Sequence, residues 1–135
     1  MKIKNSEGKL IKKIIKEYKP IEILEEDKKL IIKEIFGNER IPPSEKIEFP
    51  KYFPVFWSIS IDEDRRIFVG TYEKEKDKKN HYYFDVFDRK GIYIAKIPLK
   101  IKPRQWFLWK NNKLYVADET EEGFPVIKCY KVIWH

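Results

Sequence analysis

Two histidines, one cysteine and a scatter of carboxylates are the side chains that could do chemistry in this sequence, and their spacing pairs none of them into a reactive group. His81 and His135 stand alone and far apart, and each reads as an exposed strand-end histidine rather than a base or a ligand. Cys129 sits in a strand-like run between Lys128 and Tyr130 and is expected to face the core as an inert thiol. A single cysteine also excludes an intrachain disulfide framework and a Cys-based zinc site. Asp62 and Asp64 are close enough to share a Ca²⁺, but the run lacks the glycine and distal glutamate of a calcium loop, so an Asx-bonded turn is expected. Asp118, Glu119, Glu121 and Glu122 read as a solvated acidic loop. No glycine-rich phosphate loop, nucleophile elbow or His-Glu helix pair is present. The expectation is a chain with no catalytic residues, no metal and no cofactor.

The aromatic residues are a different matter. Tyr52, Phe53, Phe56 and Trp57 lie in or just after a Pro-rich segment, and Trp106, Phe107 and Trp109 recur about one repeat later. Large side chains at such places pack one sheet against the next. The alternative to that favoured reading is a rim that touches a ligand or partner. On the second reading the contacting residues are Tyr52, Phe53, Phe56, Trp57, Trp106 and Trp109.

Composition narrows the function classes. The 135 residues are 42% hydrophobic and 16% aromatic, too much apolar surface for a disordered chain. No apolar run approaches the roughly 20 residues of a membrane span, and Met1 to Ser6 has no apolar core of a signal peptide. Localisation is not legible. The net charge of +7 invites a nucleic-acid reading, but its distribution argues against one. The Lys-rich residues 1–20 run straight into Glu22, Glu25, Glu26 and Asp27, and residues 73–79 alternate in sign as a solvated loop tip does.

The elements that must position these residues are mostly strands. Residues 1–18 predict a hairpin, Ile3 to Asn5 and Lys9 to Tyr18, turned at Gly8. Leu10, Ile11, Ile14 and Ile15 could instead share a helical face. Glu25 to Phe36 predicts a helix, with acids at its start and Gly37-Asn38 as its stop. Its stripe of Leu30, Ile31 and Ile35 is expected to be buried. Pro42, Pro43, Pro50 and Pro54 make the next stretch an extended loop. From Val55 onward, strands alternate with turns every 8–12 residues: 56–61, 66–73, 81–87, 92–99, 106–109, 114–118 and 126–134.

These strands repeat. Ile67-Phe68-Val69 matches Leu114-Tyr115-Val116 at an offset of 47, and Phe84-Asp85-Val86-Phe87 matches Ile127-Lys128-Cys129-Tyr130 at 43. Ile3 to Gly8 and Lys13-Ile14 align with Val86 to Gly91 and Lys96-Ile97 at 83, which favours a strand over a helix for residues 9–18. A period of about 40–50 with four strands per unit is that of propeller blades.

The segments Glu48 to Pro54, Ser60 to Val69 and Tyr83 to Gly91 together resemble bacterial six-bladed β-propellers of the TolB-like, NHL-related kind. The resemblance covers essentially the whole chain, as the last part of such a propeller. It implies that Asp85, Asp88 and Gly91 are blade-turn residues, that the fold binds across its channel rather than catalyses, and that relatives are mostly exported or envelope-associated. Six blades need about 250 residues at this repeat length, so 135 residues read as a fragment, a split module or an assembling unit.

The resulting expectation is a mainly β fold, a partial β-propeller of about two antiparallel four-stranded blades with one inserted helix. Residues 1–20 would be the outer strand pair of a preceding blade, 21–54 the helical insertion and Pro-rich entry loop, 55–100 a complete blade and 101–135 a final three-stranded one. The function expected is non-enzymatic binding or scaffolding, with a protein partner or self-association through open blade edges. Two other readings are a propeller hydrolase or lyase whose catalytic residues lie elsewhere, and a basic nucleic-acid binder.

Overall fold

Tight turns decide where the strands fall. Asn111 and Asn112 both take positive φ, 53° and 56°, as a two-residue hairpin turn requires. Asn5 Oδ1 accepts the N–H groups of Glu7 and Lys9, while Gly8 adopts φ of 80°. Asp88 Oδ1 does the same for Lys90 and Ile92 beside Gly91. The computed structural model describes residues 1–38 and 40–134, without the side chains of Ile11 and Lys12; His135 lies outside the described residues.

The chain is mainly β, 38% strand and 9% helix. Its elements are β1 (Lys2–Lys4), β2 (Leu10–Lys13), α1 (Glu25–Phe36), β3 (Ser58–Ile61), β4 (Ile67–Lys74), β5 (Tyr82–Phe87), β6 (Tyr93–Leu99), β7 (Phe107–Lys110), β8 (Lys113–Glu119) and β9 (Pro125–Lys131). All pairings are antiparallel between sequence neighbours: a hairpin β1-β2, a four-stranded sheet β3-β4-β5-β6 and a three-stranded sheet β7-β8-β9. Neither larger sheet closes into a barrel, and the arrangement is compatible with part of a propeller.

Two compact units result. One comprises Met1–Glu17 and the chain from Phe56 onward. Within it the four-stranded sheet is covered on both faces. Phe68, Phe84 and Val86 pack on one side with Leu114, Val116 and Ile101, joined by Phe107 and Trp109 of the three-stranded sheet. Ile67, Val69 and Phe87 pack on the other with Ile14, Met1 and Ile3 of the N-terminal hairpin. The repeat explains the order. Ile67 and Val69 face the preceding hairpin, and their equivalents Leu114 and Val116 face the preceding sheet. Burying these side chains, at about 25 cal/mol per Å² of apolar surface, is what holds the layers together.

The other unit, Tyr18–Val55, is built around α1. Asp27 is buried and its Oδ2 accepts the Leu24 N–H at 2.9 Å, closing the first turn. Gly37, at φ of 76°, ends the helix by returning its N–H to the Lys33 carbonyl. The Pro-rich return strand meets the helix's lead-in through the Ile23 N–H to Lys51 carbonyl and Phe53 N–H to Ile21 carbonyl bonds.

Several expectations are corrected. Leu30 and Ile35 are 57% and 49% exposed, so the apolar stripe of α1 is not a buried face. The second strand stops at Lys13, short of the expected Tyr18, and beyond it Met1 and Ile14 exchange one last pair of bonds, the Ile14 N–H to the Met1 carbonyl and the Met1 ammonium to the Ile14 carbonyl. Asp85 is a mid-strand residue of β5, not a turn residue, although Asp88 and Gly91 do form the turn. Cys129 is exposed. It pairs with Tyr115, and alternation sends both away from the face that buries Leu114 and Val116.

Candidate functional site

The residues expected to form an aromatic rim fall in different surroundings. Trp57 is half-buried and packs edge-to-face on Phe84 and Phe107, at 5.5 and 6.2 Å between centroids, with its N–H donated to the Thr71 carbonyl. Trp109 stacks on Phe68 and donates to Ser60 Oγ at 3.0 Å. Both indoles therefore join the two larger sheets. Trp106 is 54% exposed, and Phe56 is 39% exposed. Tyr52 and Phe53 belong to the helical unit, where Tyr52 bridges Glu22 and carries Lys51 Nζ 5.3 Å above its ring.

The sequence reading missed a cleft in the sheet unit. The turn between β3 and β4, the turn between β7 and β8 and residues 132–134 enclose about 230 Å³. Trp109 and Trp134 contribute its aromatic walls. Arg66 lies over Trp134, its guanidinium carbon 4.3 Å from the ring centroid. Asp62 and Asp64 hold that guanidinium: Nε donates to Asp62 Oδ2 at 2.8 Å and Nη2 to Asp64 Oδ2 at 3.0 Å. Asp62 Oδ1 also accepts the Arg66 N–H, which is the expected Asx-type turn. Glu63 Oε1 accepts the Asn111 N–H and ties the two turns together. Acids thus line one lip, and Lys110 and Lys113 the other.

Several other ionisable groups among the described residues are engaged structurally. His81 places Nδ1 2.9 Å from the Lys79 carbonyl. Asp118 pairs with Lys128 at 3.0 Å, and a hydrogen bond from the Glu119 N–H together with that ammonium holds its carboxyl below the usual aspartate range. The Lys128 ammonium is raised by the same pair. Glu73, hydrogen-bonded to Lys96, pushes that lysine up. Burial raises the Tyr72 phenol, partly offset by the Arg104 charge. Among the described residues no three His, Cys, Asp or Glu side chains gather as a metal site, and no helix is long and apolar enough to cross a membrane.

No protein-family model matches this chain, and neither a curated protein nor a solved structure does. Nothing in those comparisons identifies a TolB-like or NHL-related propeller.

The Asp62-x-Asp64-x-Arg66 spacing was a readable signal for the acid lip, since alternate residues of a turn can share one guanidinium. Trp134 offered none, because its role depends on a turn nearly seventy positions earlier in the chain.

Proposed function

We propose that this chain is a non-enzymatic binding module of β-propeller type that seats a short mixed-charge peptide segment in the cleft of Arg66, Trp109 and Trp134. One observation carries the reading: two indoles and a guanidinium stacked on one of them line a concave space with acids on one lip and lysines on the other. Concave sites with apolar walls and a few fixed polar groups are where small ligands bind. A planar side chain fits beside the indoles, an ammonium meets Asp62, Glu63 and Asp64, and a carboxylate meets Lys110 or Lys113. The face-to-face layering and the repeat of about 40–50 residues support the propeller type. The non-enzymatic part is supported by the partners of His81, Asp62 and Asp64, which are the Lys79 carbonyl and Arg66 rather than a nucleophile.

The test is a titration with a lysine-tyrosine-glutamate tripeptide, followed by the indole N–H signals in the NMR spectrum. Trp109 and Trp134 signals are expected to shift while Trp57 and Trp106 stay put, and Trp134→Ala is expected to abolish the shift with the fold retained. Shifts that map outside the cleft, or cleavage of the peptide, would contradict the reading.

A further inference from the structure

The three-stranded sheet has one covered face and one open face. On the open face, register sets Leu108, Tyr115 and Cys129 in one row across the strands. Ala117 and Ile127 form the next, extended by Trp106, whose carbonyl accepts the Ala117 N–H. Trp106, Leu108 and Ile127 are 54%, 45% and 65% exposed. In the repeat, Tyr115, Ile127 and Cys129 stand where Phe68, Phe84 and Val86 stand in the four-stranded sheet, and those three are 0% exposed. The same positions are buried by a neighbouring layer in one sheet and uncovered in the other.

The ends of this face carry opposite charge. Lys110, Lys113 and Lys131 lie in one row at the turn end, and none makes an ion pair among the described residues. Glu119 stands at the other end opposite Pro125, with Glu121 and Glu122 in the turn that follows.

We propose that the open face of β7-β8-β9 binds the same face of a second copy, about a two-fold axis running across the strands. That axis turns one sheet end for end, so Lys113 lies over the partner's Glu119 and the apolar rows cover each other. An axis along the strands would set lysine row on lysine row. Head-to-tail stacking would lay the apolar face on the outer side of the N-terminal hairpin, where Lys2, Lys4 and Lys13 share one side, and would bury them without partners. Edge pairing through β9 meets Pro125, Lys128 and Lys131, residues that protect a strand edge. The interface is thus a face and not the open edge that the strand count suggested, and it shares only Lys110 and Lys113 with the lip of the cleft.

Cys129 is the single cysteine and sits in the middle of the face, so it reports occupancy. Light scattering is expected to show the mass rising from 16.5 kDa toward twice that value with concentration. Alkylation of Cys129 is expected to slow several-fold over the same range. Facing sheets lie about 10 Å apart and a disulfide needs Cα atoms within about 7 Å, so reductant should leave the mass unchanged. Ile127→Asp, at an exposed position, is expected to stay monomeric and set the unprotected alkylation rate. Lys113→Glu and Glu119→Lys should each weaken association, and an equal mixture should restore it, because every swapped end then meets its opposite. A constant 16.5 kDa mass, stronger association by Lys113→Glu alone, or a dimer whose Cys129 alkylates at the monomer rate would each overturn the proposal.

Discussion

The Trp109 indole stacks on the Phe68 ring with centroids 4.3 Å apart and planes inclined by 27°, and its N–H reaches Ser60 Oγ on the neighbouring sheet. This contact carries both parts of the layer's cohesion, apolar burial and one directional bond. Phe68 is fully buried, so Phe68→Ala should cost about 3–5 kcal/mol. Trp109→Phe keeps a ring on Phe68 but drops the hydrogen bond, and should cost about 1–2 kcal/mol. Urea unfolding of both variants checks the ranking; equal costs would show that the bond to Ser60, not the ring, dominates.

Gly70 is a second point of close approach. A Cβ there would lie 2.9 Å from Trp57 Cε2 and 3.1 Å from Phe84 Cε1. Trp57 cannot easily give way, because its N–H is bonded to the Thr71 carbonyl at 2.8 Å. Gly70→Ala is expected to destabilise by about 1–3 kcal/mol. Adding Trp57→Phe, which shortens the ring at the clash, should make the two changes less than additive. Strict additivity in a denaturation cycle would rule out the clash as the cause.

Element positions were legible where one physical signal acted alone. The acids of Glu25 to Asp27 and the left-handed Gly37 fix α1 without reference to the rest of the chain. The short β-branched and aromatic runs of β4 and β5, bounded by turn residues and buried on both faces, do the same for the four-stranded sheet. Faces were harder. In β9 both alternating sets hold apolar residues, Val126 and Tyr130 on one side and Ile127 and Cys129 on the other. The side carrying Lys128 turns inward because it lies in register with Leu114 and Val116, whose burial is set by the neighbouring strand. The cleft depends on Arg66 meeting Trp134, a long-range pairing that local periodicity does not encode, although Trp109 was singled out as a candidate contact.

The exposure of α1 has a direct consequence. Leu30 is 57% exposed, so Leu30→Ala removes little buried surface and should change stability by less than about 1 kcal/mol. Asp27→Ala removes the acceptor of the Leu24 N–H at the helix start and should cost about 1 kcal/mol or more. Circular dichroism under denaturant compares them; a larger loss from Leu30→Ala would place its side chain in a contact that its exposure does not indicate.

The Asp118 carboxyl gives a pH prediction. Its pKa is depressed in the folded state, first by the Glu119 N–H and then by Lys128. A depressed acid contributes stability that is present above its unfolded value, about 3.9, and is lost as pH falls through the lower folded value. Asp118→Asn should therefore reduce stability at neutral pH and leave it nearly unchanged in strong acid. Carboxyl NMR titration should place Asp118 below the exposed aspartates, and Lys128→Ala should move it up only in part, since the backbone hydrogen bond remains. A full return to the ordinary value would make the lysine, not the backbone, the main cause.

Lys16 and Asp85 join the N-terminal segment to the middle of the four-stranded sheet. Lys16 Nζ lies 3.0 Å from Asp85 Oδ2 and 4.8 Å from the Tyr93 ring centroid, and Asp85 is 9% exposed. The other carboxylate oxygen, Oδ1, is buried without a hydrogen-bond partner in the structure. A buried carboxylate that loses its ammonium is costly, whereas replacing both groups by apolar ones of similar size can be neutral. Lys16→Met is thus expected to destabilise by about 1–3 kcal/mol, less than for a fully buried pair because the lysine is 33% exposed. Asp85→Leu in the same chain should recover most of that loss. The N-terminal hairpin should follow the same pattern in hydrogen exchange, with the Ile14 amide, bonded to the Met1 carbonyl, opening faster in Lys16→Met and slowing again in the double variant. An Ile14 amide that exchanges at the same rate in all three proteins would mean that apolar packing of Ile14 and Ile3 alone holds the hairpin to the sheet.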